Sequence, residues 1–111
     1  MNFEDIEWDT LKKKSVLVIN IENHILTHLQ KTIYSYMAIS QINDLPKLIV
    51  SILIEDIGVP EWAFPNLFKV TSKAFIRDIR ELFKINGYST KNKDLEDEND
   101  EDFTRGLISL F

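Results

Sequence analysis

The chain has 111 residues, 44% of them apolar, with two histidines, no cysteine and a formal net charge of −5. That length holds one domain at most, with a modest core; the lack of cysteine excludes disulfides, thiolate catalysis and cysteine zinc sites, and fits a reducing compartment. Seven of the 18 acidic residues lie between Asp94 and Asp102, and only one of the 13 basic residues, Arg105, follows them, so a near-neutral body adjoins a strongly anionic segment.

Residues 1–10 carry four acidic side chains and no basic one, which reads as neither a signal nor a transit peptide. They open a short leader, residues 1–14, in which Phe3, Ile6, Trp8 and Leu11 stand among acids before Lys12, Lys13 and Lys14. Leu17, Ile21, Ile25, Leu29, Ile33 and Met37 then recur every four residues, a stripe that predicts a helix over about residues 15–41. The β-branched run at 16–21 also suits the start of a strand, and periodicity alone does not separate the two. Asn43 and Asp44 offer N-caps, and Pro46 fits an early helical position where its missing N–H costs nothing. A second helix is expected over 45–57, ending at Gly58, which suits a C-cap. It is apolar on most sides (Leu45, Leu48, Ile49, Val50, Ile52, Leu53, Ile54, Ile57), so it belongs at the centre of the core or under a partner.

Residues 59–64, flanked by Pro60 and Pro65, suit one short helical turn. A third helix is expected over 66–85, closed by Asn86 and Gly87. The acidic stretch 88–102 repels itself and reads as a disordered, solvated linker. The chain turns apolar again at Phe103, Leu107, Ile108, Leu110 and Phe111. The expected architecture is all-α: a leader (1–14), a small three-helix core (15–87) with an extra turn between helices two and three, an acidic linker (88–102) and a docking peptide (103–111). The apolar stretch 48–54 is too short to span a bilayer, so the expected protein is cytoplasmic and makes no membrane contact.

The chemistry of an enzyme is missing. Three widely separated glycines make no phosphate loop. His24 and His28 have the i, i+4 spacing that can place two imidazoles on one metal, but no adjacent Glu and no third ligand accompany them. Glu55 and Asp56 are helix neighbours and point apart. No catalytic residue, metal, cofactor or small-molecule substrate is therefore expected.

Three features point to binding instead. Lys69, Lys73, Arg77, Arg80 and Lys84 are spaced so that one uninterrupted helix would carry them on one face, suited to weak contact with DNA phosphates or an acidic protein; a solvated face of an amphipathic helix is the simpler explanation of them. Trp62, Phe64, Leu67 and Phe68, with the second helix, offer more apolar surface than a domain of this size needs. They either complete the core or form a surface for a protein partner. Finally, Leu107-Ile108-Ser109-Leu110-Phe111 follows the anionic linker; it would dock on another protein or fold back onto the core.

That last segment resembles the pentapeptide by which bacterial proteins dock on ring-shaped DNA sliding clamps: glutamine, aliphatic, serine or aspartate, leucine, phenylalanine. Ile108, Ser109, Leu110 and Phe111 match, while Leu107 stands where glutamine is preferred. It also resembles the looser motif read by trimeric clamps, with Thr104 in place of the leading glutamine, Leu107 as aliphatic anchor and Leu110-Phe111 in place of the aromatic pair. Together with the small helical body and the acidic tether, the peptide gives the chain a resemblance to the late-transcription co-activators of T4-type bacteriophages. The resemblance implies a non-enzymatic viral protein of the host cytoplasm that binds the flap of the RNA polymerase β subunit and hooks a sliding clamp through Leu107, Ile108, Leu110 and Phe111. The acidic tether would keep the peptide off DNA, or lie on the basic helix when no partner is present. Two rivals belong to other classes: a small inhibitor or immunity-type protein covering a basic or nucleic-acid-handling partner, and a DNA-binding regulator using the basic third helix.

Overall fold

A computed structural model describes residues 2–39 and 45–85 of the chain. All regular structure among them is helical, as the apolar periodicity predicts. The chain enters through two short 3-10 turns, Phe3–Asp5 and Trp8–Thr10. Asn2 caps the first, its Oδ1 accepting from the Glu4 amide at 3.0 Å. The segment set apart in the sequence as a leader enters the core: Phe3 and Trp8 are both buried, with ring centroids 5.8 Å apart and planes 13° from parallel. The Trp8 indole N–H donates to the Phe3 carbonyl at 3.3 Å, so the ring is buried without leaving its polar atom unpaired.

Helix α1 spans Val16–Ile39, and the strand alternative for its first residues falls away. Ser15 starts the helix: its hydroxyl accepts from the Val18 amide at 3.2 Å and its carbonyl from the Ile19 amide at 3.1 Å. Ile21, Ile25, Leu29 and Ile33 are buried as the stripe predicts, but Leu17 is 41% exposed and Val18 takes its place inside. A step of four residues overshoots one turn by about 40°. Over several steps this drift carries Leu17 off the core face and brings Val18 onto it.

Helix α2, Leu45–Ile52, runs directly into a wider π-helical turn, Leu53–Ile57. Gly58 ends it with φ 91°, and the Leu53 carbonyl accepts from both Gly58 (3.0 Å) and Val59 (2.9 Å). This is the glycine stop expected from sequence, with the last turn loosened so that two amides share one acceptor. A 3-10 turn, Glu61–Ala63, leads without a gap into helix α3, Phe64–Val70.

The single helix expected over 66–85 is divided. Helix α3 stops at Val70, Thr71 is extended (ψ 153°), and helix α4 spans Lys73–Ile85. Ser72 accounts for the break. Its hydroxyl accepts from the Phe75 amide at 3.1 Å, a new N-cap. Its own amide and hydroxyl both donate to Glu22 Oε2 on α1 at 3.0 Å. The buried Glu22 carboxylate thus replaces the intrahelical partner that the Ser72 amide would otherwise have. Among the described residues one core cluster joins Phe3 and Trp8 to α1, α2, α3 and α4. Asn66 on α3 donates to Asp9 Oδ1 at 3.1 Å, fastening the second 3-10 turn to the body.

Candidate protein-docking surfaces

Leu107, Ile108, Leu110 and Phe111, expected from sequence to dock on a clamp, and the stretch 88–102, expected to be a linker, lie outside the described residues. The other two candidate surfaces lie within them.

The aromatic cluster is corrected. Phe64 and Leu67 are fully buried, Phe68 is 4% exposed, and the Phe64 and Phe68 rings pack 5.6 Å apart. These three side chains belong to the core and offer nothing to a partner. The cause is the break after Val70: α3 is a short helix laid against the Trp8–Thr10 turn, so its apolar face is already covered. Trp62 alone of the four is exposed, at 60%.

The basic stripe is corrected in part. Lys69 belongs to α3, whereas Lys73, Arg77, Arg80 and Lys84 belong to α4, so no continuous face carries all five. On α4 the remaining four keep a common side. Lys73, Arg77 and Lys84 are exposed, and Arg80 is half-buried at the edge of the apolar face formed by Phe75, Ile76, Ile79 and Phe83. Asp78 and Glu81 are exposed on the same helix. The Arg77 Nε approaches Asp78 Oδ1 at 3.9 Å with both side chains more than half exposed, an arrangement that adds little stability and dilutes the positive field. An amphipathic helix with a solvated, mixed-charge face accounts for these positions.

His24 has a packing role. His24 meets Phe3 edge-on, with centroids 5.2 Å apart and planes at 66°. Partial burial lowers its pKa below 6.5, reinforced by the positive N-terminus and by His28. The His28 carbonyl accepts from the Thr32 hydroxyl at 2.8 Å. Among the described residues no group of three potential metal ligands comes together, and no helix is long and apolar enough to cross a membrane.

Sequence reasoning passed over one surface. Val16, Leu17 and Ile19 are 74%, 41% and 45% exposed on the opening turns of α1. Ser15 separates them from Lys12, Lys13 and Lys14, all exposed. The signal was present in helical phase: if Ile21, Ile25 and Leu29 point inward, Val16 and Ile19 point outward. The run of β-branched residues concealed it by suggesting a strand.

Comparison with protein-family models, curated proteins and solved structures finds no match to this chain.

Proposed function

We propose that the protein is a non-enzymatic adaptor that holds RNA polymerase near a DNA sliding clamp, docking on the clamp through Leu107, Ile108, Leu110 and Phe111. The observation that carries this reading is the order of residues: seven acids between Asp94 and Asp102, then an apolar peptide containing Ile108-Ser109-Leu110-Phe111. The polymerase flap is the partner the resemblance implies for the body. The linker of 15 residues, 88–102, spans at most about 50 Å when extended. Such a tether raises the effective concentration of each site for the other, so neither contact has to be tight alone.

The test is clamp binding by the full chain and by a peptide of residues 103–111. Burying a Leu or Phe side chain is worth about 1.5–3 kcal/mol, so Leu110→Ala with Phe111→Ala weakens binding by about two orders of magnitude or more. Ser109→Ala has a much smaller effect. Equal affinities for the wild type and the double alanine variant contradict the assignment.

A further inference from the structure

The strongest unexplained surface of the body is the start of α1. Val16 and Ile19, 74% and 45% exposed, share its outward side, with Leu17 turned about 160° away from Ile19 around the helix, and three exposed lysines, Lys12, Lys13 and Lys14, lie in the turn before it. An occupant of this surface must place negative charge beside apolar side chains. The chain itself contains such a segment: the acids of 94–102 run straight into Phe103, and Leu107, Ile108, Leu110 and Phe111 follow. We infer that residues 94–111 park on this surface of the same molecule, the acidic run against Lys12, Lys13 and Lys14 and the apolar peptide against Val16 and Ile19.

Reach and strength both fit. Residues 86–102 extend to roughly 55 Å, more than the 37 Å longest dimension of the described part, so the peptide can reach this surface from the end of α4. The ion pairs are solvent-exposed and individually weak, and the apolar area is small, so the contact is readily displaced by a better-fitting pocket. Parking would keep the apolar peptide out of non-specific contacts until a partner removes it. The α4 face is the competing basic surface, but Asp78 and Glu81 interrupt its charge. Exposed Glu7 and Asp9 likewise precede the Lys12–Lys14 turn, so what distinguishes that turn is the pair of exposed apolar side chains beside it. The inference does not depend on the clamp assignment, because it concerns where the peptide lies in the absence of any partner.

Since the chain has no cysteine, a single Thr104→Cys substitution carries a nitroxide cleanly on the full-length protein. Amide signals of residues 13–20 are expected to lose about half their intensity or more at low salt. They recover at roughly 0.5 M salt, where exposed charges are screened, and also in the labelled variant carrying Lys12→Glu and Lys13→Glu. No broadening at residues 13–20 overturns the inference, as does broadening confined to Lys73, Arg77 and Lys84. Broadening that survives both high salt and charge reversal also overturns it, because the acidic run would then contribute nothing. Mixing labelled chains with unlabelled isotope-enriched chains separates parking within one molecule from pairing between two; transfer of the effect to the enriched chains overturns the intramolecular contact. Clamp affinity is measured separately, so failure here leaves the docking assignment standing, and the reverse also holds.

Discussion

The two sides of helix α1 carry similar residues and have opposite fates. Ile21, Ile25, Leu29 and Ile33 are at most 1% exposed, whereas Val16 and Ile19 on the other side are 74% and 45% exposed, and Tyr34 is 75% exposed. Hydrophobicity alone therefore does not decide what a residue of this helix does. Helical phase decides, and the Glu22–Ser72 contact fixes that phase at one point by tying α1 to the start of α4. The buried side supplies stability; the exposed side is free to be a surface.

The largest test of that contrast is Ile25→Ala, which removes a fully buried side chain. It is expected to cost about 2–5 kcal/mol in denaturant unfolding. A cost below 1 kcal/mol would mean that α1 does not pack as described. Next is Ser72→Ala, which deletes the α4 cap and one of the two donors to Glu22. Chemical denaturation should show a loss of about 1–3 kcal/mol; an unchanged midpoint would make the junction incidental. At the small end, Val16→Ser with Ile19→Ser should change stability by no more than about 0.5 kcal/mol, as exposed positions do. A loss comparable to Ile25→Ala would show those side chains to be covered.

His24 adds a pH dependence of known sign. Its folded-state pKa lies below 6.5, so above that value the imidazole is neutral in both folded and unfolded chains. As pH falls from 6.5 through the folded pKa, the unfolded chain takes up the proton more readily and stability declines. His24→Gln should flatten that part of the stability profile; an unaltered slope would assign it to other groups.

Much of this fold was legible in local sequence. The α1 stripe, the glycine stop at Gly58 and the all-helical character depend on residues within a turn or two of one another. The division of the third helix was not. Thr71-Ser72 is a recognisable cap, but the break is completed by a carboxylate 50 residues away on α1, and no window along the chain contains both partners. Phe3 and Trp8 were missed as core residues for a related reason: two short 3-10 turns have no apolar period to read. The aromatic cluster shows the limit for site prediction. Trp62, Phe64, Leu67 and Phe68 look alike in sequence, and only the packing of α3 against the entry turns separates one exposed ring from three buried side chains.

A docking role for residues 103–111 requires that the rest of the chain fold without them. Denaturant unfolding of a chain ending at Gly87, beside the full-length protein at roughly 0.5 M salt where the parked contact is screened, tests it most directly. The two unfolding free energies are expected to agree to within about 0.5 kcal/mol, with equally cooperative transitions. A loss of about 2 kcal/mol or more, or a broadened transition, would place residues 103–111 in the core and remove the docking peptide from the account.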